Sequence, residues 1–391
     1  MRKLAKIPLN IWVISIFIII NVGLYYPRFQ SLITLSYILL LIGFILDLAN
    51  KKSSRYLEFG IKTFLFLLFS YFSLIWAASY TYGYGHFIIL LKSVVPVLLI
   101  SAMIHSKEDF ITSLKVFSFA AFLYTLLFIP LVDLSELADS RVADAMTADE
   151  FTPNVNVISM CSSFACVLFA FWGITEKKIG YFILAIASFI FTVILGSRKS
   201  LLSVILFLFI LFFKTRGRDK SKLIVYAFLT LLIVFAVIPY EYLEFIIERF
   251  GIFDFFMSGN TMVVDESDNN RIEMLTHGVN YFSNKPLLGN GFMNFAILFN
   301  RDGYMLTYAH KNFIELLADL GLVGFFLYYL PYISIYTNSR KSNGQWAFLF
   351  KAILIVILFN SLFIVFISTR FMWLLIALLS VGSYYCKYDK R

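Results

Sequence analysis

Several cations and one histidine in this chain stand where they could act together on an anion. His310 lies in Tyr308-Ala-His-Lys-Asn-Phe-Ile-Glu-Leu-Leu-Ala-Asp-Leu-Gly-Leu-Val-Gly324, where a long polar segment gives way to an apolar run. Histidine is the side chain best suited to take a proton from a hydroxyl near neutral pH. Arg271 stands upstream in the same polar segment, ahead of a Pro286-Leu-Leu-Gly-Asn-Gly291 turn. Arg198 and Lys199 lie in Gly196-Ser-Arg-Lys-Ser200, Arg370 closes Ser368-Thr-Arg370, and Lys92 interrupts an apolar run. Converging guanidiniums hold a pyrophosphate bidentately. A proton acceptor held over a bilayer near arginines suits chemistry on a lipid-linked anionic substrate.

Each of these residues also has a plainer reading. The apolar run Leu201–Phe213 behind Arg198 spans only roughly 20 Å at about 1.5 Å per residue, against a hydrocarbon core of about 30 Å. Arg198 and Lys199 are therefore expected below the outer surface, where an ionisable group is a functional candidate; the alternative is snorkelling to headgroup phosphates. The same alternative applies to Arg370. Arg271 follows Asp265, Glu266 and Asp268, so a local salt bridge competes with substrate binding. His310 serves equally as a helix cap or a headgroup contact. Lys92 reads as the most buried charge, two turns into its helix, facing either a substrate phosphate or an acid of the external layer. Asn154, in Pro153-Asn-Val-Asn156, reads first as part of a helix-entry turn.

The elements that must position these groups are membrane helices. The 391 residues are 60% hydrophobic and 15% charged, with a mean hydropathy of +0.82, which excludes a soluble domain. Apolar runs near 9–26, 31–48, 61–79, 86–104, 111–132, 155–174, 179–196, 200–213, 222–239, 315–336, 346–367 and 371–386 predict an all-α polytopic membrane protein of about twelve transmembrane helices. Lys and Arg gather in alternate loops, including Lys214-Thr-Arg-Gly-Arg-Asp-Lys-Ser-Lys222 and the tail Lys387–Arg391, so both termini are expected in the cytoplasm. The net charge of +9 is then a topology signal and no sign of nucleic-acid binding. The first helix is expected to be retained, since no small-x-small cleavage site follows it.

One membrane domain, 1–391, is expected, with a first external loop over 133–153 and a large external loop over 240–311 between helices nine and ten. The large loop is too long for a simple connector and should hold short helices of its own. Cys161, Cys166 and Cys386 lie in or beside apolar runs without metal-ligand or CxxC spacing, so neither a disulfide framework nor a metal site is expected.

Taken in order, Pro153-Asn154, Gly196-Ser-Arg-Lys-Ser-Leu-Leu202, Arg271-Ile-Glu-Met-Leu275, Pro286-Leu-Leu-Gly-Asn-Gly-Phe292 and Ala309-His-Lys-Asn-Phe-Ile-Glu315 resemble the O-antigen ligase and polymerase superfamily. These are membrane glycosyltransferases acting on undecaprenyl-pyrophosphate-linked glycans. The resemblance is concentrated in residues 150–370. It implies that Arg198, Arg271 and His310 are catalytic, and that Arg198, Lys199, Arg271, Arg370 and Lys92 bind the substrate pyrophosphate. It implies that Tyr308, Lys311, Asn312, Glu315 and Asn154 face the acceptor or glycan. The family carries Asn directly after the histidine; here Lys311 stands there and Asn312 follows, a cation suited to an acidic glycan.

The resemblance further implies an enzyme of the bacterial cytoplasmic (inner) membrane, with its site on the periplasmic or extracellular side and neither cofactor nor metal. Its partners would be the lipid-linked glycan and membrane lipids, with a chain-length regulator and a flippase nearby. Polymerisation of repeat units into O-antigen or capsular polysaccharide is the expected activity. Transfer of the glycan to lipid A core, protein or wall by a ligase is the alternative. A lipid-linked glycan flippase is the rival of another class, but flippases favour repeated halves and short loops, and this chain has one very long loop.

Overall fold

An apolar run in lipid has no water to bond its backbone, and a helix satisfies every interior N–H and C=O within its own segment. The computed structural model describes residues 8–24, 29–50, 56–128, 155–215, 218–238, 266–341 and 344–387. Among the described residues every regular element is helical. They are α1 (Leu9–Ile18, continued by a π-helical turn Ile19–Gly23), α2 (Gln30–Ala49), α3 (Glu58–Phe72, continued by the 3-10 turn Ser73–Trp76), α4 (Tyr80–Met103) and α5 (Lys107–Phe128). Then follow α6 (Val155–Glu176), α7 (Ile179–Ile194), α8 (Arg198–Lys214) and α9 (Arg218–Val237). The polar segment holds α10 (Glu266–Asn284) and α11 (Phe295–Arg301), and α12 (Asn312–Lys341), α13 (Gly344–Ser361) and α14 (Arg370–Cys386) close the chain.

Each apolar run read from the sequence contains a helix among the described residues, though the run 346–367 is helical only to Ser361. Seven helices (α2, α3 with its 3-10 turn, α4, α5, α6, α12 and α13) are long and apolar enough to cross a membrane by length and composition. Shorter apolar helices are Leu9–Gly23, Ile179–Ile194, Ala227–Ala236 and Arg370–Cys386. The chain is a multi-pass membrane protein. The expected loop over 133–153, Asn154 within its Pro-Asn turn, and the stretch 239–265 lie outside the described residues.

The chain forms two compact units. The second unit comprises Ser15–Ser36 and Lys115–Val263. Its centre is α6, buried from Ile158 to Gly173. The Ser162 hydroxyl donates to the Ser188 carbonyl (2.7 Å), joining α6 to α7. Lys115 pairs with Glu176 and lies 5.1 Å from the Trp172 ring, so its charge is met on two sides.

The first unit comprises Met1–Ile14, Tyr37–Leu114 and Val264–Arg391. Its core is α14, buried from Phe371 to Ser383. Trp373 packs on Phe66 of α3 and Tyr328 of α12, with ring centroids 5.9 and 5.5 Å away. Aromatic pairs of this kind contribute about 0.5–1.5 kcal/mol each beyond their burial.

One helix is broken where the sequence reads as continuous. Inside α12, Gly321 has φ 61° and ψ −164°, so its two halves part there. The Pro286–Gly291 turn fills the gap. Leu322 and Val323 donate their N–H groups to the carbonyls of Pro286 (2.8 Å) and Leu287 (3.2 Å). In return Asn290 and Gly291 donate to the carbonyls of Ala318 (3.1 Å) and Asp319 (2.8 Å). The Asn290 side chain adds a second donor to Ala318, at 2.9 Å. Backbone groups freed at a break in a membrane helix must find such partners. The approach leaves no room for side chains: a Cβ on Gly321 would stand 2.4 Å from the Leu287 carbonyl oxygen, and one on Gly289 2.3 Å from that of Asp319.

Candidate active site

The helix break holds the polar segment against the start of α12, and that is where Arg271 and His310 come to one cavity. Asp319, nearly fully buried, accepts the Phe295 N–H at 2.6 Å and so fixes the first residue of α11. Asn294 accepts the Ser79 N–H at 2.6 Å, and Arg301 donates to the Ala78 carbonyl at 2.8 Å, which ties α11 to the link between α3 and α4. Beneath lies an apolar cluster of Met274, Tyr281, Phe295, Phe299, Ala309 and Ala318. It welds α10, α11 and the strand of chain before α12 into one layer.

His310 has φ 55°, the left-handed region that non-glycine residues seldom enter. Such conformations persist where the surroundings impose them, and they gather at functional sites. The imposing contact is next to it. The N–H of Ala309 donates to Glu315 Oε2 at 2.6 Å, inside a fully buried site, and so draws the backbone back over the first turn of α12. The Tyr308 ring packs tilted against the His310 ring, with centroids 4.2 Å apart and planes at 46°.

Two predicted glycan contacts are therefore interior residues. Glu315 is buried beneath the histidine and holds its backbone. Asn312 is also fully buried; its amide donates to the Tyr329 hydroxyl (3.1 Å), and its carbonyl oxygen accepts the Phe366 N–H (2.8 Å). It pins the start of α12 to the irregular segment 362–369. The resemblance implied that both face the acceptor or glycan, but a helix turns a neighbouring position inward as readily as outward.

Arg271 and His310 line one cavity of about 630 Å³. Met274, Tyr304, Met305 and Thr307 complete much of its wall. Tyr304 is fixed by stacking on Phe299, with ring centroids 4.4 Å apart and planes 11° from parallel. A cleft with apolar and aromatic walls and a few convergent polar groups is the usual form of a small-ligand site. Arg271 supplies a permanent cation, and His310 a proton acceptor.

His277 belongs to a polar triad behind the cavity wall. Its Nδ1 lies 3.0 Å from Asp302 Oδ2, and the Tyr281 hydroxyl donates to the same oxygen. Burial, and then the bond to Asp302, hold the Tyr281 phenol protonated above the usual tyrosine range. The triad clasps the turn that carries Gly303 and Tyr304 into the cavity. The i, i+4 spacing of His277 and Tyr281 on α10 was the available signal; their partner Asp302 is too distant in sequence to be found that way.

The remaining predicted residues lie elsewhere. Arg370 opens α14 half-buried, its guanidinium carbon 5.4 Å from the centroid of the Tyr37 ring. Lys92 is exposed in the middle of α4, which begins at Tyr80, earlier than hydropathy suggested; it is not the buried charge the sequence implied. Lys311 is half-buried beside His310. Arg198 and Lys199, both half-buried, open α8 in the second unit. The Ser197 hydroxyl before them donates to Asn156 of α6 at 3.3 Å.

Residues 182–329 match the family model described as O-antigen ligase, which is consistent with the O-antigen ligase and polymerase superfamily. The match runs from α7 through α8, α9, α10 and α11 into α12 and ends past the break at Gly321. It supports membrane glycosyl transfer of the ligase or polymerase type, with a lipid-linked glycan as substrate. No curated protein matches the chain.

Proposed function

We propose, from the O-antigen ligase match over residues 182–329 and from one cavity that carries both Arg271 and His310, that this chain polymerises glycan repeat units borne on undecaprenyl pyrophosphate. The observation that carries the reading is the pairing of a fixed cation with a histidine held in a strained backbone conformation.

The reaction joins two lipid-linked glycans. The acceptor hydroxyl oxygen attacks the anomeric carbon of the donor, and the bond from that carbon to the phosphate oxygen breaks. The electron pair of the broken bond leaves on the pyrophosphate, and the acceptor proton passes to His310. Proton transfer of this kind contributes typically 10²- to 10⁴-fold. Arg271 stabilises the charge that grows on the leaving group, where exclusion of water strengthens each contact. The product keeps its lipid and is one repeat unit longer. Attack on the face opposite the leaving group inverts the anomeric configuration.

The acceptor separates this reading from the ligase alternative. Purified protein given one synthetic lipid-pyrophosphate-linked repeat unit, with no other acceptor, is expected to build a ladder of longer lipid-linked products. Folded protein that makes no ladder from the correct unit, but transfers it to a lipid A core, would establish a ligase instead.

A further inference from the structure

The Pro286–Gly291 turn carries two leucines that protein leaves largely uncovered. Leu287 is 63% exposed and Leu288 48%, although the backbone of α12 grips the turn closely. Two helices give their depth. From Leu322 to Arg340 the second half of α12 runs roughly 27 Å at about 1.5 Å per residue. It ends in the cations Arg340 and Lys341, and the turn caps its other end. On α3, the Ser73 hydroxyl accepts the Phe292 N–H at 3.0 Å, and Ser73 stands roughly 22 Å along the helix axis from Glu58. Glu58 pairs with Lys62, so charge marks the far end of this helix too. Against a hydrocarbon core of about 30 Å, both distances put the turn just inside the near edge.

The surface beside the turn has the same character. Val323, Phe326 and Ile333 are exposed on α12 and share one face of the helix, the flank that a spanning helix turns to lipid. Val323 donates its N–H to the Leu287 carbonyl, so the turn sits at the end of that flank. The polar segment descends to this level alongside α12. A Cβ on Gly278 would stand 2.2 Å from the Ile314 side chain. Further along both chains, the Asn290 amide donates to the carbonyls of Tyr281 (3.1 Å) and Ala318 (2.9 Å). Exposed Ser283, Asn284 and Lys285 precede the leucines, so the exposed surface changes from polar to apolar within a few residues.

We propose that the corner Pro286–Leu288 is a membrane contact of the polar segment, with Leu287 and Leu288 inserted among the acyl chains of the adjoining leaflet. The occupant is bulk bilayer lipid and not a second protein, because the corner is level with the hydrocarbon and continuous with a lipid-facing helix flank. Leucine side chains gain by leaving water for hydrocarbon. The consequence reaches the candidate site. The same corner supplies the carbonyls that cap the second half of α12, and it leads into the turn that seats α11. The leaflet thereby helps to hold the layer that carries Arg271 and His310. This contact is independent of the reaction that the chain performs.

The test is fluorescence quenching on the full chain in phosphatidylcholine nanodiscs, with a thiol-reactive fluorophore on Leu288→Cys and, separately, on Leu287→Cys. Both side chains are exposed, so the changes leave the packing intact. Cys161, Cys166 and Cys386 are buried and do not compete for the label. The quenchers are iodide in the water and phosphatidylcholine carrying a doxyl group near the top of its acyl chain. Phe326→Cys serves as the lipid reference and Asn300→Cys, exposed on the polar segment, as the water reference. We expect the doxyl lipid to quench both leucine positions within twofold of Phe326→Cys, and iodide to quench them at least threefold less than Asn300→Cys. Iodide quenching equal to that at Asn300→Cys would stand the corner in water and overturn the contact. Shielding of both leucine positions from both quenchers, while the references respond, would show that protein covers the corner and would overturn its assignment to lipid.

Discussion

His310 shows how a single buried carboxylate can set the backbone geometry of a candidate catalytic residue. Glu315 accepts the N–H of the residue before it, and the histidine is left in a left-handed conformation beside the cavity. Removing that acceptor strands a buried N–H, which costs about 1–3 kcal/mol. Glu315→Ala should therefore lower the thermal midpoint in detergent and cut transfer, whereas Glu315→Gln, which keeps an oxygen in place, should retain more of both. Equal losses in the two variants would remove the positioning role.

The triad behind the cavity gives a pH dependence of definite sign. The Tyr281 phenol titrates higher in the fold than free tyrosine, so its contribution is complete below the ordinary value of about 10. It is lost as pH rises through the elevated native value. Thermal midpoints should fall on alkaline titration above about pH 10, and Tyr281→Phe should flatten that fall. A variant that follows the parent curve would show that the phenol does not stabilise the wall.

At the level of elements, the break in α12 organises the site. Gly289→Ala and Gly321→Ala each force a side chain into a positive-φ position, against a carbonyl oxygen within 2.4 Å. Strain of this type costs about 1–3 kcal/mol. Either change should lower the thermal midpoint and reduce transfer, because the turn that carries α11 no longer seats. Unchanged midpoints in both would show that the turn does not depend on the close approach.

The same element shows what was legible in the sequence. Apolar runs located the seven helices long and apolar enough to cross a membrane, since a span needs about 20 predominantly apolar residues. Arg271, His310 and the Pro286–Gly291 turn were visible as residue types in order. The break at Gly321 was not, because Leu316–Phe326 reads as one apolar helix, and the partners that repair the break lie some thirty residues earlier. The inward turn of Asn312 and Glu315 was equally hidden. It depends on Phe366, Tyr329 and Ala309, which come together only in the folded unit. Lys92 was misplaced for a simpler reason: Ser79 caps a helix start within a polar, tyrosine-rich stretch that hydropathy discounts.

On the scale of the whole molecule, the account requires the polar segment to face away from the cytoplasm and to work by arginine and histidine alone. A cysteine placed at Asn300 should react with an impermeant thiol reagent in intact spheroplasts; protection until the membrane is opened would reverse the topology. Transfer should survive an excess of EDTA, since the proposed mechanism stabilises the leaving group with guanidiniums.

The central claim is that the Arg271–His310 cavity performs the transfer. The most direct measurement is the rate at which purified, folded His310→Ala extends a lipid-pyrophosphate-linked repeat unit, beside the unaltered protein. The account predicts a loss of about 10²-fold or more with binding of the lipid-linked unit retained. Extension at an undiminished rate would contradict it.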